Sequence, residues 1–369
     1  MKSHLCCALI GLALVRPAAA TDHPTFSGDV ARIIFENCTP CHRPGQAAPF
    51  SLTTHEDVRR RGRQIGEVVG DRFMPPWKAD EGDYVFRHDR RLSDAQIRLV
   101  LDWIAAGMPE GDPVNLPPLP AFPDQWPLGE PDLILQMPAA FEVPAEGRDI
   151  YRNFVLPLAL PEEKWIRAID FRPGAKSVVH HSLFYFDATG SARELDGKDG
   201  QPGYSNRMGP QRSNRVEPSF AGDNAEDAQF GGLGGWALGG NARELPDGLA
   251  MRLPKGADFI LSTHFHPSGK AEAEISTVAL YFADGPPEKQ HTGIQLPPLF
   301  GALSGLDIPP GESEYVLEDT FTLPVGVQAF GVSAHAHYLA RTMRMTATFP
   351  DGTVKVLAGI GDWDFAWQE

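Results

Sequence analysis

Asp258-Phe259-Ile260-Leu261-Ser262-Thr263-His264-Phe265-His266 and Ser177-Val178-Val179-His180-His181-Ser182-Leu183-Phe184-Tyr185-Phe186 decide how this chain is read. Both are short, strongly apolar runs with an alternating component, and Gly and Pro turns separate them from their neighbours. That texture predicts an antiparallel β-sandwich or jelly roll rather than alternating strands and helices. It begins after a stretch punctuated by Pro113, Pro117, Pro118, Pro120, Pro123, Pro127 and Pro131. Such a stretch cannot donate the hydrogen bonds of a helix or a central strand, so residues 113–131 are expected to be a semi-rigid spacer.

Before the spacer the periodicity is helical. Val30, Ile33 and Ile34 give Phe26–Asn37 one apolar face. Ser93 followed by Gln96 predicts a capped amphipathic helix through Ile104 that ends near Gly107. Directly after the first helix comes Cys38-Thr39-Pro40-Cys41-His42, the C-x-x-C-H pattern of covalent c-type haem attachment. Two thiols on one turn meet the two vinyl groups, and the next side chain reaches the iron. A thioredoxin-like redox motif needs a β-α-β surround, and a structural zinc site needs further cysteines. Neither is present, because Cys6 and Cys7 fall in a leader.

The sixth haem ligand is expected from Phe73-Met74-Pro75-Pro76-Trp77, where a thioether opposite His42 gives the ligation of electron carriers. Met108, His55 and His88 are the competitors for that position. Residues 21–112 therefore read as a c-type cytochrome domain.

Three further windows hold six histidines: His180-His181, His264-Phe265-His266 and His335-Ala336-His337. Residues i and i+2 of a strand share a face, so His335 and His337 can reach one metal together. Adjacent His180 and His181 point to opposite faces unless a bulge or strong twist intervenes. Imidazole suits copper, zinc, iron and nickel alike, so ligand type alone does not choose the metal.

In order, Val-Val-His180-His181-Ser-Leu, Leu-Ser-Thr-His264-Phe-His266-Pro-Ser-Gly and Phe-Gly-Val-Ser-Ala-His335-Ala-His337-Tyr-Leu-Ala-Arg resemble the signatures of the type II copper, ascorbate-dependent monooxygenases. That family includes the peptidylglycine α-hydroxylating and dopamine β-hydroxylating enzymes, and the likeness runs from about residue 130 to the end. The resemblance implies two jelly-roll domains with one copper each, over 132–296 and 297–369. His180, His181 and His264 would hold an electron-transfer copper, with His266 a neighbour rather than a ligand. His335 and His337 would hold the O₂-activating, catalytic copper. The resemblance also implies insertion of one oxygen atom from O₂ into a C–H bond of an unidentified organic substrate, with haem c relaying electrons from ascorbate or a redox protein. The fold class expected is an all-α cytochrome domain followed by two antiparallel β-sandwiches, the second truncated. That family's second copper takes a downstream methionine; here only Met343 and Met345 follow, so the chain reads as a fragment. A non-catalytic electron-transfer or copper-binding protein is the alternative.

Composition sets the remaining bounds. At 369 residues, two or three domains are expected. A formal net charge of −15 argues against a nucleic-acid partner. The basic run Arg59–Arg63 reads as a solvated helix face, and Gly231–Gly235 as a surface loop. Residues 1–20 read as a secretory signal peptide, with Lys2, an apolar run from Leu5 to Val15, and Ala18-Ala19-Ala20. A periplasmic or secreted location follows, with no membrane span in the mature chain.

Overall fold

The computed structural model describes residues 23–122, 125–205, 229–240, 242–289, 291–297, 306–336, 338–365 and 367. The expected signal peptide at 1–20 and the expected ligand His337 lie outside the described residues. Among those described, no helix is long and apolar enough to cross a membrane.

The centre of the molecule is a pair of antiparallel sheets. One contains β1 (Leu133–Gln136), β4 (Lys164–Arg172), β8 (Arg243–Glu244), β9 (Met251–Leu253) and β12 (Thr277–Phe282), in the order β1-β12-β4-β8 with β9 also on β4. The other contains β3 (Ile150–Pro157), β5 (Val179–Asp187), β6 (Tyr204–Ser205), β7 (Phe230–Ala237) and β10 (Asp258–Phe265), in the order β6-β3-β10-β5-β7. A small ribbon of β2 (Phe141–Val143) and β11 (Glu272–Glu274) accompanies them. Phe171, Val278 and Leu280 from the first sheet meet Phe154, Phe184, Phe186, Phe259, Leu261 and Phe265 from the second. Each such burial removes apolar area from water and contributes roughly 1.5–3 kcal/mol.

The Gly231–Gly235 run is part of strand β7 rather than a loop. Glycine is required there for close approach: a side-chain carbon on Gly235 would stand 2.8 Å from Leu183 Cδ2 and 2.9 Å from the Ser182 carbonyl.

The spacer is also tied down. Trp126 and Leu128 cover Ala168, Ala279 and Tyr281 of the first sheet, and the Arg172 guanidinium lies 3.7 Å from the Trp126 ring centroid. Arg43, next to the C-x-x-C-H motif, stacks in the same way 3.7 Å over Phe122.

The expected fold class is corrected. The chain is mostly β-sheet, with five α-helices among the described residues, and no all-α domain stands apart from the sheets. The helices are α1 (Ala31–Asn37), which continues a π-helical turn at Phe26–Val30, α2 (His55–Arg60), α3 (Gly62–Gly70), α4 (Asp94–Ala105) and α5 (Ser191–Leu195). Ser93 and Gln96 form the capping box of α4, and Phe26 packs 6.0 Å from Trp103. Between α3 and α4, residues 71–93 have no helix or strand. Trp77, Ala79 and Phe86 from that stretch pack against Ile360, Trp363 and Trp367 at the other end of the chain. The helices share a core that includes Phe26, Ile34, Val58, Val100 and Trp103, while the stretch after α3 finds its apolar partners in distant residues.

Among the described residues, no second pair of packed sheets follows. Residues 306–342 contain no strand among the described residues, and only the hairpin of β13 (Met343–Thr348) and β14 (Val354–Ile360) follows. The apolar positions there lack a facing sheet: Val325 is 66% exposed and Val327 58%.

Phe265 joins the core to the next-door histidine. It is fully buried, stacks on Phe141 at 5.4 Å and meets Phe154 edge-on at 6.2 Å. Phe265→Ala is expected to destabilise the fold by about 3–5 kcal/mol, read as a lower denaturant midpoint in urea melts.

Candidate metal centre

The site grows out of a strand irregularity. On β10, Phe259, Leu261 and Phe265 face the core, so His264 projects from the opposite face. On β5, Phe184 and Phe186 face the core, and strict alternation would aim position 180 inward as well. The pairing shifts instead: His181 lies opposite His264, whereas Val179 lies opposite Phe265. His180 is the extra residue of a β-bulge. Val179 then packs in the core, and both His180 and His181 turn to the face that carries His264.

One ring nitrogen from each of His180, His181 and His264 lies within 4.8 Å of the others. The Nδ1 atoms of His180 and His181 are 3.1 Å apart, and both rings stand nearly perpendicular to His264, at 4.9 and 4.8 Å between centroids. His264 Nδ1 is buried and has no hydrogen-bond partner. An unpaired buried nitrogen carries a desolvation cost of about 1–3 kcal/mol, which a cation bound between the rings would remove. Metal–imidazole bonds of about 2.0–2.1 Å need only a small contraction of this cluster.

Burial favours the neutral form of His181 and His264, the form that ligates a metal. Burial, helped by His264, His180 and His335, pushes His181 down to about 3. Burial also lowers His264, against the pull of Asp149.

Asp149, which the sequence reading did not single out, orients the cluster. Its Oδ2 accepts from His264 Nε2 at 2.9 Å, and its Oδ1 lies 2.8 Å from His266 Nδ1. Burial raises the Asp149 carboxyl, but hydrogen bonds from His266 and His264 outweigh that and hold it below the usual carboxylate range. A proton on His264 Nε2 leaves Nδ1 as the ligand atom, the usual carboxylate–histidine–metal arrangement. Tyr151, directly across β3 from His264, stacks on it at 4.2 Å with the planes 10° apart. An aspartate just before a strand carries no local pattern, so only the pairing of β3 with β10 exposes its role.

The remaining expected ligands are placed as follows. His266 is bonded to Asp149 and stands outside the trio, its side chain 70% exposed. His335 is exposed, yet lies near enough to His181 to help depress its protonation. The structure therefore brings His335 toward the first trio. His337 lies outside the described residues.

The C-x-x-C-H motif forms one turn, with the His42 amide donating to the Cys38 carbonyl at 2.8 Å. Both cysteines are free thiols. Burial and Cys41 push Cys38 up to about 12; burial raises Cys41 against Arg90, Arg43 and Lys176. Reactive redox cysteines show the reverse, a depressed thiol. His42 Nδ1 lies 3.2 Å from the Phe50 carbonyl, which leaves Nε2 as the nitrogen that would ligate a haem iron. These features fit a covalently attached haem.

Met74 is half-buried just past α3, its amide on the Val68 carbonyl at 3.0 Å. Two competitors are engaged elsewhere. A side-chain carbon on Gly62 would stand 2.2 Å from Met108 Sδ, so that sulfur fills the helical core. His55 Nε2 lies 3.0 Å from the Met108 carbonyl, with its ring against Phe26 and Trp103. His88 is exposed.

Asp149→Ala is expected to weaken metal binding by roughly 10–100-fold, with His266→Ala having a much smaller effect; competition with a chelator of known affinity measures both. Comparison with family models, with curated proteins and with solved structures finds no match to this chain.

Proposed function

We propose that this chain is an exported copper-dependent monooxygenase of the type II, ascorbate-dependent kind, with a covalent haem c as its built-in electron donor. The convergence of His180, His181 and His264, with the buried His264 Nδ1 lacking a partner, carries the proposal. Three imidazoles without a thiolate or carboxylate suit copper, where divalent first-row affinities peak, and the three histidine windows resemble that family.

Bound copper would supply one-electron storage in this site and O₂ activation in a second. The chain's own groups do the rest. His180, His181 and His264 hold the first ion, and Asp149 sets the tautomer. Cys38 and Cys41 would hold the haem covalently, and His42 and Met74 would supply the nitrogen and thioether that ligate its iron. His335 and His337 are the proposed ligands on the oxygen side. Overall, a substrate C–H bond, O₂, two electrons and two protons give an alcohol and water. The electrons come from ascorbate or a redox protein, and the substrate is an organic molecule with an accessible C–H bond.

One observation favours a second reading. His335 approaches the first trio, and residues 306–342 supply no strand among the described residues. A single-metal, non-catalytic electron-transfer protein would look like this.

Metal analysis of the purified chain separates the two. About two coppers per haem is expected for the oxygenase, about one for the electron carrier, and none overturns both. Cys38→Ser with Cys41→Ser is expected to abolish covalent haem staining on a denaturing gel. In the intact protein, anaerobic reduction followed by mixing with O₂ should oxidise haem and copper together.

A further inference from the structure

The C-x-x-C-H turn lies against the edge of the sheet that holds the histidine trio. A side-chain carbon on Gly239 would come within 4.0 Å of Cys41 Sγ and 3.0 Å of Arg90 Nη1. Gly239 has φ +85°, so glycine meets both a backbone and a steric need here. It follows Leu238, whose amide donates to the His180 carbonyl at 3.2 Å. From the cysteine thiol to a ligand histidine there is thus a short through-space gap at Gly239, two residues of backbone and one hydrogen bond.

Arg90 holds this junction. Its Nη1 donates to the Gly239 carbonyl at 2.9 Å and its Nη2 to the Pro76 carbonyl at 3.3 Å, from the segment that carries Met74. The planar guanidinium fork spans two carbonyls in a way that a lysine ammonium does not reproduce. A second tie runs from Lys176 Nζ to Gln46 Oε1 at 2.8 Å, just before β5 and just after the motif.

Resting on the function proposed above, we infer that Cys41, Gly239, Leu238 and His180 form the electron path from haem to copper, and that Arg90 is the positioning residue that keeps it closed. With both groups bound, the step would move one electron, oxidising the haem iron by one and reducing the copper by one, with no atom transferred. Its rate depends steeply on the gap at Gly239.

The test compares the full-length holoprotein with Arg90→Met and Arg90→Lys. A photochemical reductant pulse reduces the haem in copper-loaded protein, and its reoxidation is followed optically. The wild type is expected to show a concentration-independent decay. Arg90→Met should slow it by roughly tenfold or more, since small displacements of reacting partners cost orders of magnitude, and Arg90→Lys should fall between. Haem and copper contents and the haem spectrum should stay unchanged. In metal-free protein, amide exchange over residues 236–240 should be faster in Arg90→Met, which reports the clamp independently of any electron flow. Unchanged decay in a variant with accelerated exchange overturns the path, and unchanged exchange overturns Arg90 as its clamp. A chain that takes up no copper refutes the functional reading itself, and this inference with it.

Discussion

The bulge that seats His180 opposite the His264–Phe265 step is the constraint on which the site depends. In a regular strand, neighbouring side chains point to opposite faces. Position 180 would then have joined the core beside Phe184 and Phe186, leaving a polar ring among aliphatic and aromatic neighbours. One inserted residue sends Val179 inward and both histidines to the same face. The core's demand for Val179 and the cluster's demand for two adjacent imidazoles are met by the same local defect.

Around that defect the protein layers its restraints from the inside. Phe265, locked between Phe141 and Phe154, fixes the backbone of β10 beside His264. Tyr151 stacks on the His264 ring, and Asp149 holds its outer nitrogen. The rings are thus oriented before any cation arrives, so little ordering cost remains to be met on binding. Burial disfavours protonation of His181 and His264, which would spare a bound metal the competition of protons.

The C-x-x-C-H segment is not an appendage swinging on a proline hinge. Arg43 on Phe122, Arg172 on Trp126, Lys176 with Gln46 and Arg90 with Gly239 bind the segment and its connector to the sandwich. The Trp77, Trp363 and Trp367 cluster joins the stretch after α3 to the end of the chain. Phe365, in the same end segment, lies 6.2 Å from His180 with nearly parallel rings. The N-terminal helices, the central sheets and the C-terminal hairpin meet where the functional groups lie.

Much of this was legible in the residues themselves. Alternation in Asp258–His266 and Ser177–Phe186 predicted antiparallel strands, Ser93 with Gln96 announced a capped helix, and Cys38-Thr39-Pro40-Cys41-His42 placed two thiols and an imidazole on one turn. These are local properties, set by backbone periodicity and by the reach of side chains within one turn. Strand pairing was not legible, because it joins residues more than a hundred positions apart. Only the pairing of β3, β10 and β5 brought Asp149 and Tyr151 to His264, and only the three-dimensional packing turned the glycine run into strand β7. The tertiary structure also decided what the local pattern left open: Trp77 and Phe86 found their apolar partners at the far end of the chain, and Val325 and Val327 stayed exposed. Local pattern determined which elements and ligand types exist; burial across distant segments decided which of them meet.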